Sequence, residues 1–350
     1  MLPAYAELHC LSNFSFLRGA SHPEELVERA RTSGYAALAL TDECSVAGAV
    51  RAHLAAKELG LKLVIGSELT LADGLKLALY VTDRGSYGDL AQLITRGRRN
   101  AVKGRYALTR DDVAAFGSRC LAVWFPSIKV GSDSTFLRPS DEHRSPHEKS
   151  SLTLLFAQAR WIADVFGERG WMAAELIARA GDPLRLTRLI ELSRACGLPL
   201  VAAGDVHMHV RARRTLQDTL TAIRLKTPLA DCGYALFPNG ERHLRSRAKL
   251  ATIYPAELLA QTLALVERCT FSLDELRYEY PEEIAPPGDT PASYLRKLTE
   301  TGLHQRYGER VPDDVRELVD HELALIAELR ASIDRELEEL SKASTSLDLK

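Results

Sequence analysis

The 350-residue sequence has no excess of charge of either sign, because 45 basic residues face 47 acidic ones. A uniformly basic nucleic-acid-binding surface is therefore excluded, and any such contact must use local patches. The six cysteines lack C-x-x-C spacing, which argues against a zinc ribbon or a disulfide framework. No apolar run approaches the roughly 20 residues of a membrane span, and the N-terminus lacks a basic region followed by an apolar core. We therefore expect a cytoplasmic protein without a membrane partner.

Short apolar runs alternate with helical patterns in the N-terminal half. Hydrophobic residues make up 46% of the chain and charged residues 26%, which is ordinary for a globular protein. The length allows one large domain and a smaller one. Repeated strand–helix units predict an α/β fold with parallel strands and right-handed crossovers. The predicted strands of this half are residues 5–10, 35–40, 61–65 and 76–81.

The most informative stretch follows a buried apolar run at residues 198–204. Asp205, His207 and His209 alternate there with apolar residues. On extended backbone, residues two apart point to the same side, so one carboxylate and two imidazoles are expected to project together. That donor set suits a borderline divalent cation such as zinc or manganese. The alternative is a surface strand end whose histidines form local hydrogen bonds.

Other predicted strands also end on residues that can bind a metal. One such residue is more often a helix cap than a ligand, but their recurrence favours a shared site. In barrels of parallel strands, the loops that carry the chemistry converge at the carboxyl ends of the strands. The candidate metal ligands are therefore His9, Asp42, Glu43, Glu68, Glu175, Asp205, His207 and His209.

Four of these stretches resemble successive motifs of a PHP (polymerase and histidinol phosphatase) domain. They are Glu7 to Ser12, Ala39 to Glu43, Ile65 to Glu68 and Gly204 to His207. Longer stretches resemble bacterial C-family DNA polymerases, in particular the error-prone paralogue of the polymerase III alpha subunit. They are residues 7–25, 202–225 and 271–281, and the similarity spans most of residues 1–330.

This resemblance implies a PHP-type distorted (β/α)7 barrel followed by a helical extension. It also implies a DNA-directed DNA polymerase, a nucleotidyltransferase of translesion synthesis in DNA replication and repair after damage. The implied partners are DNA, through the full-length polymerase, the sliding clamp and mutagenesis accessory proteins. The implied cofactor is a divalent metal, either Zn, Mn or Mg.

The chain departs from the family's ligand pattern at several positions. Leu11 and Glu43 stand where the resemblance implies histidines, Lys76 stands where a further histidine is expected, and no matching histidine follows Glu175. A hydrolase needs enough fixed ligands to hold its metals and activate a bound water. We therefore expect at most a weakened site, and we interpret the barrel as a scaffold rather than a proofreading nuclease. A stand-alone PHP phosphoesterase and a non-catalytic interaction module are the alternatives.

The predicted domains are a PHP-like barrel over residues 1–232, with an exposed insertion or loop at 127–151, and a helical region over 233–330. In the family, this helical region leads toward the palm and thumb, and residues 331–350 form a non-family tail. The polymerase's catalytic aspartates are expected beyond this point, so no catalytic residue is predicted. The corresponding hypothesis is a truncated or frameshifted gene product that is inactive by itself in nucleotidyl transfer, and deliberate trimming of the chain is the alternative.

Two basic clusters are candidates for phosphate contacts. A solvated helix face is an equally good account of each cluster, and no base-reading signal accompanies either one. The candidate nucleic-acid-binding residues are Arg96, Arg98, Arg99 and Lys103 in the first cluster, and Arg211, Arg213 and Arg214 in the second.

Overall fold

The structure, a computed structural model, describes residues 2–128, 146–276 and 285–347. The chain divides into two compact units, Met1–Leu276 and Arg277–Lys350. The strands, all in the first unit, are β1 (Ala6–Glu7), β2 (Ala37–Leu40), β3 (Lys62–Thr70), β4 (Lys76–Tyr80), β5 (Leu121–Trp124), β6 (Gly170–Glu175) and β7 (Leu200–Ala203).

The helices of the first unit lie between the strands and after the last strand. They are α1 (Pro23–Thr32), α2 (Ala49–Leu59), α3 (Arg84–Arg99), α4 (Arg110–Phe116), α5 (Pro146–Phe166), α6 (Asp182–Cys196), α7 (Arg214–Leu225), α8 (Arg247–Ile253) and α9 (Ala256–Glu267). The second unit contains α10 (Pro291–Tyr307) and α11 (Asp313–Leu347). Within the described residues, no helix is both long and apolar enough to cross a lipid bilayer.

The seven strands form one sheet in the order β1 to β7, and the sheet nearly closes on itself. Closure joins the residues that follow β1 to those that follow β7. The Val206 amide donates to the His9 carbonyl, the Leu11 amide donates to the Val206 carbonyl, and each N···O distance is 2.8 Å. The predicted seven-stranded β/α barrel is therefore confirmed.

The expectation of parallel strands throughout is wrong for β4, which runs antiparallel to both β3 and β5. The connection after β3 is a short turn around Gly74, whose φ is 81°. A turn of this length joins antiparallel strands, whereas a parallel crossover needs a dozen residues or more. The reversal places Lys76, the first residue of β4, opposite Thr70 at the carboxyl end of β3.

Alternating residues of each strand divide the core into two layers. One apolar layer fills the barrel with mostly small side chains from the strands, and α9 contributes Leu265 and Val266 to it. The other layer lies between the outer barrel surface and the covering helices. Helix α9 is also tied to β1, because the Ala6 amide donates to Thr262 Oγ1 at 3.1 Å. All six cysteines are free thiols.

The predicted domain boundaries can be placed on this architecture. The first unit continues through Leu276, beyond the end expected for the barrel at residue 232. Residues 129–145 of the expected insertion lie outside the described residues, whereas residues 146–151 belong to α5 rather than to a loop. Residues 331–347 of the expected tail continue α11.

Candidate metal centre

His9 lies at the centre of the carboxyl-end rim of the barrel and is fully buried. Its Nε2 atom lies 2.6 Å from Glu68 Oε2, and its Nδ1 atom lies 2.6 Å from Glu175 Oε1. The Phe125 ring stacks on the imidazole at a centroid distance of 4.1 Å. Burial and Lys76 lower the pKa of His9, but the hydrogen bonds and charges of the two carboxylates outweigh them and raise it to about 9. His9 is therefore an imidazolium that donates from both nitrogens at neutral pH.

Glu68 is a fully buried carboxylate surrounded by cationic groups. Besides His9, it accepts from Arg18 Nη1 at 2.6 Å and lies 2.9 Å from Lys76 Nζ. Burial by itself raises the pKa of Glu68, but the charges of Lys76 and Arg18 and the His9 hydrogen bond hold it well below the usual value. Both oxygens of a predicted metal ligand are therefore engaged by the protein's own cations.

Asp205 forms the second ion-paired group on the rim. Its carboxylate pairs with the Arg242 guanidinium and lies 3.0 Å from His207 Nε2. Arg242 lies over the Phe237 ring at 4.0 Å, which keeps the guanidinium at this position. Asp205 has φ of 48°, an unfavourable left-handed conformation for a residue with a side chain. The predicted alternation thus brings Asp205 and His207 together, but the left-handed Asp205 interrupts the extended backbone, so the two residues do not lie on one continuous strand.

Asp42 is held by a serine-containing loop next to the rim. Its carboxylate accepts from the amide and hydroxyl of Ser12 at 2.8 and 2.7 Å, and from the amide and hydroxyl of Ser15 at 3.1 and 2.7 Å. Burial raises the pKa of Asp42 despite these hydrogen bonds. The neighbouring Glu43 accepts from Arg18 at 2.5 Å and from Tyr106 Oη at 3.0 Å. These contacts stabilise the loops of the rim.

The remaining predicted ligand, His209, contacts Ser21 and Glu25 and not the other predicted ligands. Its Nδ1 atom is 2.8 Å from Ser21 Oγ and 3.8 Å from Glu25, and its amide donates to Ser21 Oγ at 2.9 Å. Among the described residues, His9, Glu175 and Asp205 form the one group of three whose donor atoms lie within 4.8 Å of one another.

Most residues of the two basic clusters are occupied by local contacts. Arg98 donates to the backbone carbonyls of Cys44 and Glu43 at 3.0 and 3.1 Å. Four further arginines form ion pairs. They are Arg96 with Asp112, Arg213 with Glu25, Arg214 with Asp218, and Arg211 with Glu241. Arg99 and Lys103 are exposed and have no ion-pair partner in the described part of the chain.

In this arrangement the protein's own cations occupy the carboxylates that a divalent metal would need. A metal ligand must be a neutral imidazole or a carboxylate with an available oxygen. Both nitrogens of His9 face carboxylates, and Glu68 and Asp205 each face an arginine, so metal binding requires these ion-pair contacts to open. Arg18 and Arg242 were not anticipated from the sequence, because they come from loops without a metal-site pattern. Lys76 was visible only as a departure from the family's ligand pattern.

The protonated state of His9 gives the barrel a pH-dependent stability. A folded-state pKa of about 9, above the ordinary value of 6.5, means that the stabilisation is fully present below pH 6.5. It is lost as the pH rises through about 9, by about 3 kcal/mol. We expect urea unfolding to show a steeper loss of stability for the wild type than for His9→Gln over this range. Equal slopes for the two proteins would contradict this expectation.

The chain is similar to a known domain family and to several known proteins. The family model described as PHP domain matches residues 7–170. An error-prone DNA polymerase of Dechloromonas aromatica is 55% identical over 333 residues, which cover 94% of this chain and 30% of that protein. One from Methylococcus capsulatus is 54% identical over 323 residues, covering 92% of this chain and 29% of that protein.

A solved structure has a weaker likeness to the chain. A candidate metal-dependent phosphoesterase from Bifidobacterium adolescentis covers 59% of this chain and 89% of its own, with 17% identity and a TM-score of 0.39. The chain spans less than a third of the length of the curated relatives it matches. The chain therefore contains a PHP-domain match over residues 7–170 and is similar, over most of its own length, to part of the error-prone DNA polymerases.

Proposed function

We propose that this chain is the PHP-containing part of an error-prone, translesion DNA polymerase and that its barrel serves as a scaffold, not as a nuclease. The observation that carries this proposal is the ion-paired rim, where Arg18, Lys76 and Arg242 contact the carboxylates of a metal site. A metal-activated water needs open coordination positions at a cation. Fixed ammonium and guanidinium groups neutralise the carboxylates but do not provide such positions.

The polymerase activity belongs to the proposed full-length protein. Nucleotidyl transfer uses two metal ions that carboxylates hold about 4 Å apart. Among the described residues, the one cluster of three ligand-type side chains is the barrel rim, which is already ion-paired. DNA, a sliding clamp and mutagenesis accessory proteins are the partners in this proposal, and the cytoplasm is its location. Arg99 and Lys103, which are exposed and have no ion-pair partner in the described part of the chain, remain candidates for phosphate contacts.

A nuclease assay tests the scaffold proposal directly. A 3′-labelled single-stranded oligonucleotide is incubated with Mg²⁺, Mn²⁺ or Zn²⁺ and either the wild type or the double variant Asp205→Ala, His207→Ala. We expect equal rates of 3′-end degradation from the two proteins, because neither holds an activated water. Metal-dependent degradation that disappears in the double variant would overturn the scaffold proposal.

Thermal unfolding gives a second expected result, for metal binding itself. A metal at about 100 times its Kd stabilises a folded protein by about 2.7 kcal/mol. For a unit of this size, that corresponds to a rise in Tm of roughly 5–10 °C. Because cationic side chains already occupy the carboxylates, we expect the same Tm in EDTA, Zn²⁺ or Mn²⁺. A rise of this size with either metal would contradict the ion-paired description.

The donor atoms of His9, Glu175 and Asp205 also favour one alternative, a stand-alone phosphoesterase. That function requires the three donors to bind a metal after the nearby cations have moved away. Metal analysis of the purified protein, combined with hydrolysis of p-nitrophenyl phosphate, distinguishes the alternative. A bound metal together with an activity that is lost in Asp205→Ala would favour the phosphoesterase.

A further inference from the structure

A second group of buried polar side chains lies beneath the rim and is not part of the ion-paired site. Glu7, Arg245 and Tyr254 are 1%, 2% and 4% exposed. Buried polar groups of this kind are costly unless they form hydrogen bonds. The partners of these three side chains are mainly backbone atoms next to His9, Glu175 and Asp205.

Glu7 joins β1 to the end of β7, at the seam where these two strands close the barrel. Its Oε1 atom accepts from the amides of Leu8 at 3.1 Å, His9 at 3.0 Å and Gly204 at 2.8 Å. Its Oε2 atom accepts from the Tyr5 hydroxyl at 2.9 Å. One carboxylate thus binds the backbone of His9 itself and of the residue immediately before Asp205.

Tyr254 and Arg245 bind the backbone on the other side of the seam. The Tyr254 hydroxyl accepts from the Leu176 amide at 3.0 Å and donates to the Ala203 carbonyl at 2.8 Å. Arg245 donates to the Leu176 carbonyl at 2.8 Å. Leu176 directly follows Glu175, and Ala203 is the last residue of β7, so these contacts join the ends of β6 and β7.

We propose that Glu7, Tyr254 and Arg245 are positioning residues that hold Glu175 and Asp205 within ion-pairing distance of His9. This inference rests on the proposed function, in which the rim is a closed ion-paired cluster. Hydrogen bonds of 2.6 Å, such as that between His9 and Glu175, are lost when the backbone moves by an ångström or so. The left-handed Asp205 also persists only where surrounding contacts over-determine it.

The network gives different roles to the two carboxylates that bind His9. Glu175 is the last residue of β6, where it pairs with Ala203, and it is followed by the tethered Leu176, whereas Glu68 lies inside β3 with paired residues on both sides. Removing the Tyr254 hydroxyl therefore releases the backbone beside Glu175 while the strand pairing of Glu68 remains. The contact of His9 Nδ1 is expected to be lost, and the contact of His9 Nε2 is expected to persist.

Proton NMR of the His9 ring measures these two contacts separately. Strongly hydrogen-bonded Nδ1–H and Nε2–H protons of an imidazolium resonate far downfield, and His9→Gln assigns them by their loss. In Tyr254→Phe, we expect loss of the Nδ1–H signal and retention of the Nε2–H signal. In Glu7→Ala, we expect loss of both signals, whereas Glu7→Gln, which keeps an accepting oxygen, retains them.

Thr262→Val is the matched control for a merely structural effect. Thr262 is also fully buried and accepts from a β1 amide, that of Ala6, but its hydroxyl donates to the Leu259 carbonyl of α9 and not to a rim residue. We expect a lower Tm for this variant with both His9 signals unchanged. Loss of the signals in Thr262→Val would overturn the proposal, as would their retention in Tyr254→Phe. If Glu7→Ala does not fold, Tyr254→Phe still tests the positioning role, because this substitution removes only a hydroxyl.

The wild type separates this inference from the function on which it rests. Absence of both downfield signals in the wild type, or their displacement by added Zn²⁺, would overturn the ion-paired rim and the inference with it. Wild-type signals that Tyr254→Phe leaves unchanged would overturn the positioning role alone.

Discussion

Glu68→Gln is expected to destabilise the barrel by about 3–5 kcal/mol, measured by urea unfolding near neutral pH. Glutamine has nearly the same shape as glutamate but carries no charge. The buried carboxylate now balances His9, Arg18 and Lys76 at distances of 2.6 to 2.9 Å. Without it, the fully buried His9 and the partly buried Arg18 and Lys76 lose a shared counter-ion, which is the costly way to break a buried ion pair.

An exposed ion pair provides the control for this substitution. Glu24 pairs with Arg51 at 2.5 Å, but the two side chains are 40% and 48% exposed. Solvent screening limits the loss in Glu24→Gln to about 1 kcal/mol or less. Equal losses in the two variants would contradict the assignment of Glu68 as the central counter-ion of the rim.

A double variant separates charge balance from a simple loss of packing. Lys76→Met removes one of the unbalanced cations and keeps a chain of similar length. We expect Glu68→Gln, Lys76→Met to be more stable than Glu68→Gln alone, because the two effects are coupled through one ion pair. Additive losses in the double variant would indicate that the charge of Lys76 does not interact with Glu68.

Much of the barrel could be predicted from local sequence patterns. Apolar runs bounded by helical stretches gave the strands, and the polar residues at their ends gave the common rim. His9, Glu68, Glu175 and Asp205 meet there although they are far apart along the chain. The reason is topological: parallel strands place their carboxyl ends together whatever lies between them.

The reversal of β4 was not predicted, although its signal is present in the sequence. Asp73-Gly74 between two apolar strands is typical of a hairpin turn. The repeated strand–helix units instead predict a parallel strand at this position. This reversal changes the composition of the site, because only an antiparallel β4 places Lys76 beside Glu68.

The cationic partners of the rim could not be derived from spacing at all. Arg18 and Arg242 lie in loops, and their pairing with Glu68 and Asp205 depends on the path of each loop in three dimensions. The prediction from side-chain alternation after β7 was also only partly right, because it assumed an extended backbone. The left-handed backbone at Asp205 interrupts the extended conformation on which side-chain alternation depends, and His209 then faces Ser21.

Gly19→Ala is expected to be the most damaging small substitution in the rim loops, with a loss of about 3 kcal/mol or more. An alanine Cβ at this position would lie 1.9 Å from the carbonyl oxygen of Ser12. This oxygen belongs to the backbone, so no side-chain rotation relieves the overlap. The loop from Ser12 to Gly19 must therefore shift, and with it Arg18, which pairs with Glu43 and Glu68.

Gly88→Ala gives the matched comparison, because its expected effect has the opposite sign. Gly88 lies inside α3, where an added Cβ meets no atom within 4 Å. Alanine there gains helix propensity, so the variant should be more stable by about 0.5–1 kcal/mol. Urea unfolding of both variants measures the difference. A Gly19→Ala protein as stable as the wild type would mean that the loop has room to move, and Arg18 could not then be held firmly against Glu68.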